Sequence, residues 1–187
     1  MSEIILLSGS PVERSKSQAI LQYAQKIFAG QGVSSRIISV RDFSAEDLIL
    51  GKYDNEAFIP FKTALANAKG VILATPIYKG AYSGALKLLL DILPQYALKD
   101  KTVLPIATAG SMAHLLAIDY SIKPLLSVLG ASDILQGVYI PDSHYSLKEE
   151  NKIELDDELQ CRLDASLQQL VEKIKSTSRT EKVISVV

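Results

Sequence analysis

Between Val71 and Asp91 the hydrophobic period of the chain changes from that of a strand to that of a helix across one loop, and few folds accept that order. Val71-Ile-Leu-Ala74 is too short for a helix and is bounded by turn residues, so it reads as a buried strand. It breaks at Thr75-Pro76, where proline removes a backbone donor and holds the preceding residue extended. Tyr78 and Tyr82 follow, interleaved with Gly80, Ser83 and Gly84, and then Leu86, Leu89, Leu90 and Leu93 recur at helical spacing. A buried strand therefore feeds a helix through an aromatic, glycine-containing loop. In an open α/β sheet such loops lie outside the carboxyl ends of the strands, where ligands bind. Aromatic side chains there suit a flat, partly apolar ligand.

The same order recurs along the chain. Ile4–Leu7 reads as a strand, and Gln18–Ala29 as a helix with Ala19, Ile20, Tyr23, Ala24, Ile27 and Phe28 on one face, stopped by Gly30 and Gly32. Val33–Val40 is the second strand, 41–54 a loop with one helical turn, and Glu56–Lys69 a helix. Thr102–Thr108 is a further strand whose Pro105 demands a bulge or an unpaired position. Ala113–Leu129 is apolar on more than one face, the pattern of a helix that also covers a subunit interface, and Pro124 predicts a kink or break in it. Asp133–Ile140 is the last strand, Pro141–Asp156 a polar loop, and Asp157–Lys175 an amphipathic closing helix. Residues 1–175 are expected to form a single domain and 176–187 a tail, whose Val183–Val187 stretch is apolar enough to pack on a neighbour. The alternation of strands and helices implies a parallel sheet with helices on both faces and right-handed crossovers.

Charge and composition narrow the function. A formal net charge of −1 signals neither a nucleic-acid binder nor a strongly acidic electron carrier. The single cysteine, Cys161, excludes an intramolecular disulfide and a Cys-rich metal site, and its place in the last helix predicts a structural role. No apolar run approaches the roughly 18 residues of a membrane span. Met1-Ser-Glu-Ile has no basic n-region, so a cytoplasmic location is expected.

Three strand ends carry the candidate chemistry. Gly9-Ser-Pro-Val-Glu-Arg-Ser-Lys-Ser17 follows a strand and opens a helix, offering hydroxyls, two cations and free helix amides that suit a phosphate. It matches neither the Gly-x-x-x-x-Gly-Lys-Ser/Thr loop nor the Gly-x-Gly-x-x-Gly turn, which disfavours a nucleoside triphosphatase and a Rossmann dehydrogenase. The second loop is Pro76–Ser83. The third, Thr108–Met112, is built of small residues that let backbone N–H groups approach a ligand. His114 and His144 are the only histidines. No Gly-x-Ser-x-Gly elbow supports a hydrolytic triad, and no cluster has metal-ligand spacing. Asp91 and Asp119 read as solvent-facing or capping. A site this poor in acids and bases makes sense where a cofactor supplies the reactivity.

Gly9-Ser-Pro with Ser15-Lys-Ser17, Ala74–Lys87 with Asp91, and Ala107-Thr-Ala-Gly110 with Ala113–Tyr120 together resemble the NAD(P)H-dependent FMN reductase family. The resemblance runs from Ile4 to about Lys175 and is strongest to the FMN reductases of two-component alkanesulfonate monooxygenase systems, which serve sulfonate sulfur assimilation. It implies a flavodoxin-like three-layer sandwich, with a five-stranded parallel sheet in the order 2-1-3-4-5. It implies hydride transfer from NADPH or NADH to FMN, with FMNH2 passing to a partner monooxygenase. Ser10, Arg14, Ser15, Lys16 and Ser17 would surround the FMN phosphate. Pro76, Ile77, Tyr78, Lys79 and Gly80 would line the ring and ribityl chain, with Tyr82 and Ser83 nearby, and Thr108, Ala109, Gly110 and Ser111 would border the far edge. Lys79 is the candidate cation beside reduced flavin. The 113–129 helix fits a homodimer or homotetramer. Two alternatives stay open: a reductase that keeps FMN tightly bound and acts on quinones, azo dyes or metal ions, and a flavodoxin-like electron carrier.

Overall fold

In the computed structural model, which describes residues 3–147 and 152–184, every strand that the hydrophobic runs predict joins one sheet. In chain order the elements are β1 (Ile4–Ser8), α1 (Lys16–Gly30), β2 (Ser35–Ser39), α2 (Ala45–Ile49), α3 (Ile59–Asn67), β3 (Gly70–Tyr78) and β4 (Ala81–Tyr82). They continue as α4 (Gly84–Asp91), β5 (Thr102–Ala109), α5 (Lys123–Val128), β6 (Asp133–Ile134), β7 (Val138–Pro141), β8 (Tyr145–Leu147), β9 (Ile153–Leu155) and α6 (Asp157–Ile184). The sheet runs β2-β1-β3-β5, with β6 and then β7 sharing the position beyond β5, all parallel. This is the expected 2-1-3-4-5 order with its fifth strand in two pieces.

The two-residue side-chain period of each strand divides the core into two layers. Ile5, Leu7, Val71 and Leu73 face Phe58, Phe61 and Leu65 from the α3 side, Leu86 and Leu89 of α4, and Leu126 of α5. Ile4, Leu6, Ile72 and Ile106 face Ile20, Ala24 and Phe28 of α1 and Leu163, Leu167 and Leu170 of α6. Strands buried on both faces read as unbroken apolar runs, which is why β1 and β3 stand out in the sequence.

Several expectations are corrected. The second loop is largely strand: β3 continues through Pro76 to Tyr78, then turns through Lys79 (φ 52°) and Gly80 (φ 84°) into antiparallel β4. Two successive residues at positive φ make the two-residue hairpin turn whose twist matches its strands. The last strand is interrupted where it passes Pro105. Val103 pairs with Ile134 and Ile106 with Val138, so Leu135, Gln136 and Gly137 stand opposite Leu104 and Pro105. That extra residue is a bulge, and by strand alternation the missing N–H of Pro105 faces it. The expected 113–129 helix is three pieces: a 3-10 turn at Met112–His114, a π-helical stretch at Ile118–Ile122, and α5, with Pro124 in its first turn. The expected polar loop after β7 holds a 3-10 turn (Asp142–His144) and the antiparallel pair β8–β9. The closing helix passes Lys175 and reaches Ile184, while most of the apolar Val183–Val187 stretch lies outside the described residues.

Candidate active site

The carboxyl ends of β1, β3, β5 and β7 open on a cleft of about 410 Å³ lined by Ser10, Val12, Arg14, Ser15, Lys16, Ser17, Pro76, Ile77, Tyr78, Thr108, Ala109, Gly110 and Asp142. All three loops singled out from the sequence contribute to it.

The first loop forms one end. Ser15 is the N-cap of α1, its Oγ accepting from the Gln18 N–H at 3.2 Å, and Ser10 Oγ accepts from the Val12 N–H at 3.2 Å. The first turn of α1 carries no acidic residue, so the positive end of the helix dipole is left for a ligand. Ser17 Oγ is buried and makes no hydrogen bond with the protein. A buried hydroxyl without a partner costs roughly 1–3 kcal/mol, and one that lines a cleft at a helix N-terminus is satisfied by an anionic oxygen. Lys16 Nζ lies 2.6 Å from Asp142 Oδ1 and 5.0 Å from the centre of the Tyr145 ring, so the second cation of the loop is held by the segment after β7.

The start of the loop is anchored through Gly9. Its N–H donates to the Ala74 carbonyl at 2.8 Å, and the Ser83 hydroxyl donates to its carbonyl. A Cβ at Gly9 would stand 2.9 Å from Leu86 Cβ and 3.2 Å from Thr75 Cβ, so only glycine lets β1 leave the sheet this close to α4. Ser83 also caps α4, accepting from the Leu86 N–H at 3.0 Å, and its own N–H donates to Thr75 Oγ1 at 3.1 Å.

Pro76, Ile77 and Tyr78 line the middle of the cleft and Thr108, Ala109 and Gly110 the far side. The Tyr139 hydroxyl braces that far loop by donating to the Ser111 carbonyl at 2.5 Å. Burial raises the pKa of Tyr139 and the Asp142 carboxylate adds to the rise, against a backbone hydrogen bond at His114, so the hydroxyl keeps its proton and remains a donor.

Five residues expected at the site do not line the cleft. Lys79 and Gly80 form the hairpin turn beyond Tyr78, and Lys79 is exposed. Tyr82 packs half-buried against the core, Ser83 is the buried fastener described above, and Ser111 caps the Met112–His114 turn through the Ala113 N–H. His114 is half-buried beside the third loop, and His144 pairs with Asp156 at 2.5 Å. Asp91 pairs with Lys87 within α4, and Asp119 of the π-helical stretch pairs with Lys123 at the start of α5. Val12, Asp142 and Tyr139 are the residues that sequence reasoning missed. The signal for Asp142 was present: it directly follows a strand, at the sheet end where ligands sit.

A sequence model described as NADPH-dependent FMN reductase matches residues 2–146. The chain is similar to the FMN reductase (NADPH) of Escherichia coli K12, 45% identical over 165 residues that span 88% of this chain and 86% of that protein. Its structure is similar to the apo crystal structure of an NADH:FMN oxidoreductase, with a TM-score of 0.81, 36% identity, and 91% of this chain and 88% of that one covered. It is also similar to an archaeal flavodoxin, with a TM-score of 0.59 and 14% identity over 94% of this chain and 99% of that one, a likeness of fold alone. On the family match and the identity over most of both chains, the chain belongs to the NADPH-dependent FMN reductase family, and the structural likeness gives it the flavodoxin-like fold.

Proposed function

We propose that this chain reduces FMN with NADPH and releases FMNH2 to a partner monooxygenase of the alkanesulfonate type. The observation that carries the reading is the partnerless Ser17 hydroxyl, buried at the N-terminus of α1 in a cleft that also presents Arg14 and Lys16 at that end and Pro76, Ile77, Ala109 and Gly110 farther along. The residues fit FMN. Ser10, Arg14, Ser15, Lys16 and Ser17 offer hydroxyls, cations and helix amides to a phosphate, while Pro76, Ile77, Tyr78, Thr108, Ala109 and Gly110 offer a flat slot to a ring. In the same reading Lys79, Gly80, Tyr82, Ser83 and Ser111 form the rim and support of that slot.

Bound FMN supplies the hydride-accepting centre, so the chain is left with binding and orientation. The first loop anchors the charged end. Tyr78, half-exposed at the end of β3, covers one side of the slot. Gly110 follows β5 at the other edge, with its N–H available to negative charge developing on a reduced ring. Lys79 stands exposed in the turn beyond Tyr78 and is the cation this reading assigns to the reduced ring. Lining groups on both sides hold two flat reactants face to face, and that positioning supplies most of the rate.

The reductase domain is taken as residues 1–175, with 176–187 beyond it. No helix among the described residues is long and apolar enough to cross a membrane, which agrees with work in the cytoplasm. Met112, Leu116, Tyr120 and Val128 are exposed on the segment from the third loop through α5, which supports a homodimer or homotetramer formed there.

The test is NADPH oxidation against added free FMN on flavin-stripped protein. Saturable turnover with no other acceptor is expected. Turnover that waits for a quinone or dye would assign a tightly bound flavin instead, and no oxidation in either case would leave an electron carrier. NADH run in parallel sets the nucleotide preference.

A further inference from the structure

We propose that Asp142 holds down the affinity of this chain for FMN, by engaging the Lys16 ammonium and by placing a carboxylate at the phosphate end of the cleft. The inference rests on the reading of the first loop as the phosphate site and concerns how firmly that site holds its ligand. Among the described residues that line the cleft, Asp142 is the one carboxylate, and it sits at the end that carries Arg14 and Lys16. It pairs with Lys16 at 2.6 Å and accepts from the Tyr145 hydroxyl at 3.3 Å, while the Lys16 ammonium lies over the Tyr145 ring. Both side chains of the pair are partly exposed, so the pair is screened and is broken at modest cost. The segment that presents Asp142 is itself fixed. Pro141 closes the β5–β7 register opposite Ala109, and His144 binds Asp156, whose other oxygen caps α6 at the Leu159 N–H. The backbone at Asp142 is therefore held between two anchored positions.

A phosphate arriving at the N-terminus of α1 meets two penalties. Lys16 must be shared with Asp142 or released from it, and the phosphate, carrying nearly two negative charges, is repelled by the carboxylate. The helix amides, Arg14 and the three serines still favour the anion, so binding occurs but is loosened. A chain that must give its flavin up after each turnover gains from that. A chain that keeps flavin as a prosthetic group gains nothing from a carboxylate there.

The test measures equilibrium binding of FMN and of riboflavin, by quenching of flavin fluorescence, to the stripped wild-type protein and to the Asp142→Asn and Asp142→Ala variants. Wild-type protein is expected to prefer FMN. Asp142→Asn is expected to lower the FMN Kd by roughly three- to tenfold, as removal of one partly screened charge from a dianion site should. Riboflavin, which has no phosphate, should keep its wild-type Kd, and added salt should narrow the gap between the two proteins for FMN. Unchanged or weaker FMN binding in both variants would overturn the proposal, as would equal tightening of riboflavin. Wild-type protein that binds the two flavins equally would overturn the phosphate reading of the first loop, and this inference with it.

Discussion

Ser15 and Ser17 open the same helix, and their hydroxyls face different demands. Ser15 Oγ is engaged by the Gln18 N–H, so Ser15→Ala removes an N-cap and should cost about 1 kcal/mol in the ligand-free protein. Ser17 Oγ is buried with no protein partner, so Ser17→Ala should leave the ligand-free protein equally stable or raise its stability by up to about 1 kcal/mol. Addition of FMN should then stabilise the Ser17 variant less than wild type. Urea midpoints with and without FMN check both statements. Ser17→Ala protein that is clearly destabilised without ligand would mean that its hydroxyl is satisfied in another way. The sequence marks both serines as candidates but cannot separate them, because the difference lies in which donor each oxygen meets after the helix forms.

At the scale of elements, α1 is tied to α6 through Tyr23. Its hydroxyl donates to Asp164 Oδ1 at 2.7 Å and accepts from Gln160 Nε2 at 2.5 Å. Burial, then the hydrogen bond and charge of Asp164, push its pKa from 10.0 up to about 12, against the opposing bond from Gln160. A folded-state pKa raised above the unfolded value means that the contribution is fully present below about pH 10 and is lost as pH rises towards 12. The stability of wild-type protein relative to Tyr23→Phe should therefore fall across that window, as urea unfolding at stepped pH would show. A constant difference would remove Tyr23 from the alkaline response. The broken fifth strand makes a second prediction. Gly137 has φ 92°, and a Cβ there would stand 2.9 Å from the Pro105 carbonyl oxygen. Gly137→Ala should cost roughly 1–3 kcal/mol, read as a lower denaturation midpoint. Pro105 and Gly137 each look like a flaw in a strand when read alone, and they match only because the sheet sets one against the other.

For the whole molecule, ligand binding and association are the measurable properties. FMN at a hundredfold excess over its Kd should stabilise the stripped protein by about 2.7 kcal/mol, since a ligand that binds the folded state alone adds RT ln(1 + [L]/Kd). Leu116 is 61% and Val128 76% exposed, so on the proposed homodimer or homotetramer Leu116→Glu with Val128→Glu should leave the fold intact and lower the molar mass measured by light scattering. An unchanged molar mass would remove this segment as an interface. The buried strands and the three cleft loops were legible in the sequence, because β1 and β3 are buried on both faces and appear as unbroken apolar runs, whereas the sheet order came from the family resemblance. The Tyr78–Ala81 turn was not, because nothing in the residue type of Lys79 announces a positive φ. Nor was the division of the 113–129 segment, whose apolar residues fit more than one helical period. By itself the sequence determined the alternation of strand and helix, and with it the sheet end at which the serines, tyrosines and small residues gather, since local periodicity and burial are written residue by residue. Only the tertiary structure decided which of those side chains line the cleft, that Ser17 is left without a partner, and that Lys16 is held by Asp142. Those facts depend on contacts between residues far apart in the chain, and no local pattern encodes such a distance.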